Sequence, residues 1–175
     1  MAFWSWQHGS RASTSEDSVT LESAWPLEPI QVFRADGELS GWIAARGQRV
    51  TDLLNASDTM RIQLDAIDQE RWVDIERDSI LVVAPPPHAS QPQRRVHRQR
   101  RRVRAQVGPF EITGTAHLVP GAGLDPYLLR TRQAFLPMTD IVISRRDNPS
   151  WEHEAGVAII NVGNLSELHE LLTLA

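Results

Sequence analysis

Glu38-Leu39-Ser40-Gly41-Trp42-Ile43 and Glu111-Ile112-Thr113-Gly114-Thr115-Ala116 share one pattern, an acid followed by alternating apolar and small polar residues around a central Gly. Alternation with a period of two marks a strand with one buried face. Working outward, with Ile30–Ile80 laid over Val103–Leu165, Gly47, Val50, Leu54, Leu64 and Ile67 fall on Gly121, Leu124, Leu128, Met138 and Ile141 at one constant offset. The far ends match as Ile75-Glu76-Arg77-Asp78-Ser79-Ile80 on Ile160-Asn161-Val162-Gly163-Asn164-Leu165. The second copy is longer by 11 residues, which fall in Ser144–Gly156 around Pro149 and Trp151. Order kept over so long a stretch reads as the tandem duplication of one module.

Both copies predict the same elements. Two β-stretches come first, Ile30–Phe33 and Leu39–Ile43, then Val103–Val107 and Phe110–Leu118, with turn signals between them at Asp36-Gly37 and Gly108-Pro109. A short helical turn follows. Thr51 or Asp125 offers an N-cap oxygen, Pro126 takes the first helical position, and Val50 or Leu124 precedes the cap as a staple. Met60–Ile67 and Trp72–Ile75 are the next strands, matched by Phe135–Ser144 and Val157–Val162. The last element differs between copies. Ile80–Val83 is a plain strand, whereas Leu165–Leu172 has Leu at helical spacing and few β-formers, so this end reads as a helix or a strand.

The expected fold class is mainly β: two tandem small SH3-like or Sm-like β-barrels, each with one short helical turn. Residues 1–20 read as a flexible tail, 30–85 as the first β-module, 86–100 as a Pro/Arg linker, 101–168 as the second β-module, and 166–175 as the candidate C-terminal helix. A barrel of about 60 residues buries too little surface to be robust alone, so the two modules are expected to pack together.

Charge is distributed unevenly along the 175 residues. All 18 basic residues are Arg, and the net charge is −4. Residues 1–83 hold 7 Arg and 14 acids, and residues 105–175 hold 4 Arg and 8 acids. Between them Arg94–Arg104 carries seven Arg and no acid. Such a run either pairs with the acidic modules, forms the solvated face of a strand, or neutralises phosphates. The absence of Cys removes thiolate chemistry, disulfides and Cys-ligated metals, and the absence of Lys removes Schiff bases and the P-loop lysine.

The remaining residues offer no persuasive catalytic or metal centre. Glu152-His153-Glu154 has no second His at metal spacing. Asp65, Asp68, Glu70, Asp74, Glu76 and Asp78 lack the Gly-centred loop and closing Glu of a calcium site. Ser57, Ser79 and Ser166 have no nucleophile-elbow context. Neither a secretory signal nor a run of about 20 apolar residues is present, so a cytoplasmic protein without a membrane span is expected.

Three resemblances bear on this reading. Asp36-Gly37 with Gly41-Trp42-Ile43 resembles the first motif of the Sm-like family, and Ile75–Ile80 and Ile160–Leu165 resemble its second. That family's Phe-Asp-x-x-Met-Asn segment, source of its base-contacting Asn, is replaced here by the helical turn, so no RNA-binding residue is carried over. Gly114–Gly121, Leu124, Leu128 and Phe135-Leu136-Pro137-Met138-Thr139-Asp140 resemble a small bacterial β-module that brings no known activity. Arg94-Arg95-Val96-His97-Arg98 is similar to the Arg-x-x-x-Arg entry of cyclic-dinucleotide-binding PilZ barrels, but the second half of their motif is missing between Val103 and Gly123.

The expected role is therefore non-catalytic, with no cofactor and no metal: a bacterial protein-interaction, scaffold or regulatory module that takes a protein partner or self-associates. Trp4 and Trp6, in a tail that cannot bury them by itself, are candidate partner anchors. The alternative is nucleic-acid (RNA) binding. Its candidate phosphate or partner contacts are Arg94, Arg95, Arg98, Arg100, Arg101, Arg102 and Arg104.

Overall fold

The computed structural model describes residues 26–64, 71–85, 98–130 and 133–171. The tail with Trp4 and Trp6, most of the linker, and Arg94 and Arg95 lie outside the described residues. The first half contains β1 (Leu27–Arg34), β2 (Gly37–Ala44), α1 (Val50–Ala56), β3 (Thr59–Leu64), β4 (Arg71–Glu76), a 3-10 turn (Arg77–Ser79) and β5 (Ile80–Ala84). The second runs β6 (Gln99–Val107), β7 (Phe110–Leu118), α2 (Leu124–Arg130), β8 (Phe135–Arg145), β9 (Asn148–Asn161), a 3-10 turn (Val162–Asn164) and β10 (Leu165–Glu170). The same series of elements thus occurs twice, and the protein is mainly β.

The register repeats as closely as the order. Arg34 faces Gly37 in the first hairpin and Val107 faces Phe110 in the second. Where β5 pairs with β1 the ladder skips Leu81, and where β10 pairs with β6 it skips Ser166, the residue at the corresponding place. Gly47 and Gly121 both take a positive φ, +74° and +77°, a conformation that Gly adopts without strain. Gly41 and Gly114 are retained for a different reason: a Cβ on Gly41 would strike the backbone carbonyl of Gln63, and one on Gly114 would strike the Ile141 side chain. Each lets its strand bend across the next. Gly41→Ala is expected to cost about 1–3 kcal/mol through overpacking. Urea denaturation checks this; unchanged stability would contradict the close approach.

The sheet is continuous, in the order β10-β6-β7-β8-β9-β5-β1-β2-β3-β4, and every pairing is antiparallel. This differs from two separately closed barrels. In each half the strand order is fifth, first, second, third, fourth, yet among the described residues β4 does not pair with β5, nor β9 with β10. Instead β9 joins β5 of the other half, with Val82 opposite Ile160 and Val83 opposite Ile159. One curled sheet of ten strands results, and β4 and β10 are its two ends.

Burial explains why the halves join there. β5 is buried along its whole length and contributes to two cores. Ile80 and Val83 enter the first core with Ile30, Val32, Ile43, Leu54 and Ile62. Leu81, Val82 and Ala84 enter the second with Val103, Ala105, Ile112, Leu118 and Met138. Phe33 of β1 also belongs to the second core, and Phe135 and Ile159 of the second half belong to the first. Polar groups fasten the same seam. The buried Asn161 side chain donates to the Ile80 carbonyl at 2.9 Å, and the Phe135 amide donates to Asn55 Oδ1 at 3.1 Å.

Several sequence expectations are corrected. Leu165–Glu170 is a strand, not a helix, because pairing with β6 and packing of Leu165 and Leu168 on the second core outweigh local helix propensity. The linker ends sooner than residue 100, since Gln99 and Arg100 already pair with Leu118 and His117. α1 starts at Val50 with Arg49 in the cap position and no side-chain cap bond, so Thr51 lies inside it. Thr59 faces Glu76 and Phe135 faces Asn161, which puts Ile62, rather than Leu64, in the place of Met138. Two of the extra residues therefore lie between α2 and β8, and the rest lengthen the β8–β9 hairpin. That longer hairpin brings Trp151 and His153 onto Phe33, with ring centroids 6.1 and 5.3 Å away. At its tip Arg145 bonds Asp147 at 2.9 and 2.8 Å, which holds the carboxyl below its ordinary pKa.

Candidate functional site

Because Val103, Ala105 and Val107 point into the core, the alternate residues of β6, Arg100, Arg102 and Arg104, stand on the outer face of the sheet. β7 alternates without a break between buried and half-buried residues, placing Thr113, Thr115 and His117 on the same face. The register sets Arg100 opposite His117, Arg102 opposite Thr115 and Arg104 opposite Thr113. Thr139 of β8 extends the patch, facing Thr115 and lying 2.9 Å from His117 Nε2.

These arginines are only partly neutralised. Arg104 has Glu111 at 3.5 Å, a half-exposed pair worth little in water. Arg102 donates to the Asp140 carbonyl at 2.7 Å, and Arg98 donates to the His117 carbonyl at 3.4 Å. Among the described residues no carboxylate pairs with Arg98, Arg100 or Arg102. Arg101 behaves differently, because its phase turns it toward the core side, where it meets Glu170 at 2.6 Å. His117 is pushed below its ordinary pKa by burial, then by Arg100 and Arg98, against the opposing pull of Asp140. Its neutral form is favoured, and the positive charge of the patch is that of arginine.

The first half supplies an internal comparison. Its residues at the positions of Arg100, Arg102 and Arg104 are Leu27, Pro29 and Gln31, facing Ala44, Trp42 and Ser40. Trp42 in turn faces Gln63, and Gln63 faces Trp72, so Pro29, Trp42 and Trp72 lie in one row across four strands. Leu27 and Trp42 are 36% and 37% exposed, and the Arg61 guanidinium sits 5.7 Å from the Trp72 ring. Two equivalent outer faces therefore differ in chemistry: one carries a row of arginines, the other Leu27, Pro29, Trp42 and Trp72 with Gln31, Gln63 and Arg61 beside them.

Other sequence candidates resolve into structure. Ser79 donates to the Glu76 carbonyl at 2.8 Å, Ser166 donates to the Gln106 carbonyl at 3.3 Å, and Ser57 Oγ accepts from the Thr59 amide at 3.3 Å. Glu152, His153 and Glu154 alternate along β9 rather than converging. Among the described residues no group of His, Asp and Glu is arranged to hold a metal ion, and no helix is long and apolar enough to cross a membrane. Compared with known proteins, the chain matches no family model, no curated protein and no solved structure.

Proposed function

We propose that the protein is a non-catalytic interaction module, a rigid two-part platform that holds a protein partner on the outer face of its first half. The row of Pro29, Trp42 and Trp72, with Leu27 beside it, carries this reading. An exposed Trp42 and a half-buried Trp72 on a firm sheet supply large contact area at little entropic cost, and such residues dominate the energetics of protein interfaces. The second half has Thr115 where the first has Trp42, so the fold itself does not require tryptophan there. The neighbouring β4 is an end strand of the sheet, open to addition of an extended segment from the same partner. Strand order repeated in each half supports reading the two as copies of an Sm-like or SH3-like module. A bacterial, cytoplasmic setting belongs to the same proposal.

The test uses the full chain as bait at rising salt, with and without nuclease, beside Trp42→Ser/Trp72→Ser. A protein kept after nuclease and bound at least about tenfold more weakly by the double variant is the expected result. Equal capture by both forms, or capture that nuclease abolishes, would sink this assignment.

A further inference from the structure

We propose that the outer face of the second half binds the phosphate backbone of single-stranded nucleic acid through Arg100, Arg102 and Arg104, with Thr113 and Thr115 beside them. This site lies on the opposite half from the protein-partner face and stands or falls independently of it.

Four observations lead here. First, the three arginines spring from one row along β6, because alternate residues of a strand repeat at about 6.8 Å. Cations set in a line along an open strand suit a polymer of repeating charge better than one small phosphate. Second, the cross-strand neighbours Thr113 and Thr115 bring hydroxyls to the same face, and hydroxyl–guanidinium combinations are common phosphate contacts. Third, Arg100 has no carboxylate partner among the described residues, and Arg102 is bonded only to the Asp140 carbonyl. Fourth, the equivalent face of the first half holds Leu27, Pro29 and Gln31 in the same register, so this sheet folds without cations there. The arginines answer to something outside the fold.

The face points away from the core and is convex, so a stiff duplex would touch it over a short length while a flexible single strand can follow the row. No Phe, Tyr or Trp stands among these residues to stack on bases, so recognition is of the backbone and tolerant of sequence. Arg98, just before β6, extends the row past Arg100 and donates to the His117 carbonyl.

Fluorescence anisotropy with labelled oligo-dT and oligo-U of about 20 nucleotides decides the matter, using the full chain between 50 and 200 mM salt. Three backbone contacts give a salt slope of about −2, an affinity loss of roughly 20-fold over that range. Arg100→Gln/Arg102→Gln/Arg104→Gln should remove about 2 from the measured slope, whereas the charge-matched Arg46→Gln/Arg49→Gln/Arg146→Gln should leave it in place. If circular dichroism shows that the triple variant has lost its sheet, Arg100→Gln/Arg104→Gln keeps the Arg102 bond and should remove about 1.4. The proposal is overturned by any of four outcomes: no binding of either oligonucleotide at 50 mM salt, a slope indifferent to the β6 substitutions, tighter binding of a duplex of equal length, or equal affinity for polyglutamate.

Discussion

Phe33→Ala is expected to lower the free energy of unfolding by about 3–5 kcal/mol, the usual cost of emptying a fully buried phenylalanine site. The loss should fall on both halves at once. Phe33 belongs to β1 of the first half, yet its ring lies in the second core, 5.7 Å from Phe110 and 6.1 Å from Trp151, with no exposure. Val82 of the first half likewise lies in the second core and Phe135 of the second half in the first, so neither half can open without stripping the other. Urea unfolding followed by tryptophan fluorescence and by circular dichroism should give one coincident transition, displaced to lower urea in the variant. Two separable transitions, with the later one unmoved by the substitution, would show that the seam does not couple the halves.

The second large effect concerns the two ends of the sheet. By the internal correspondence, β10 should be able to receive the β4 of another chain as β5 receives β9, but the residues at those ends have changed. Gln106 and Glu167 stand where Phe33 and Val82 stand at the seam, and Asp74 stands where Ile159 stands. Placing carboxylates on an end strand is a common way to stop edge-to-edge growth. Restoring the apolar residues should undo it. A chain with Asp74→Ile has one adhesive end, and a chain with Gln106→Phe/Glu167→Val has the other. Each alone should sediment as the native chain does, while an equimolar mixture should form a one-to-one dimer; all three changes in one chain should give a head-to-tail ladder. If the mixture stays at the native size, or if either single-ended chain self-associates, the seam is not a template for the two ends of the sheet.

Much of the fold could be read from residue patterns. Phe110–Leu118 alternates so regularly that its inner and outer faces are evident, and the same phase puts Trp42 outside because Gly41 and Ile43 are inside. Phase therefore marks Trp42 as an outward residue, while Trp4 and Trp6 lie outside the described residues. The seam was harder to see. Its signal is the unbroken run Ile80–Ala84, buried on both faces like a central strand, where the matched Leu165–Glu170 leaves all but Leu165 and Leu168 exposed. The final strand was ambiguous because Leu165 and Leu168 stand at helical spacing, and only the register shift past Ser166 against β6 brings both to the core side of a strand. The two-residue slip in β8 was hidden because Leu64 and Ile62 are both apolar and either matches Met138 in kind. Within the arginine run, composition could not separate Arg101, turned inward to Glu170, from the outward row on either side of it.

The seam also sets a timetable for synthesis. β5 leaves the ribosome with its outward edge unpaired and with Phe33, Leu81 and Val82 lacking their cover, because the strand that completes them, β9, is encoded far downstream. At about 5–20 residues per second that interval is on the order of several seconds, long compared with the microseconds in which a hairpin forms. A half-made chain therefore waits with an apolar flank and an open strand, the condition under which nascent chains pair with one another. The Pro-rich and Arg-rich stretch that follows β5, Pro85 to Arg98, emerges next. It brings charge and proline beside that flank during the wait, features that oppose aggregation of neighbouring apolar strands.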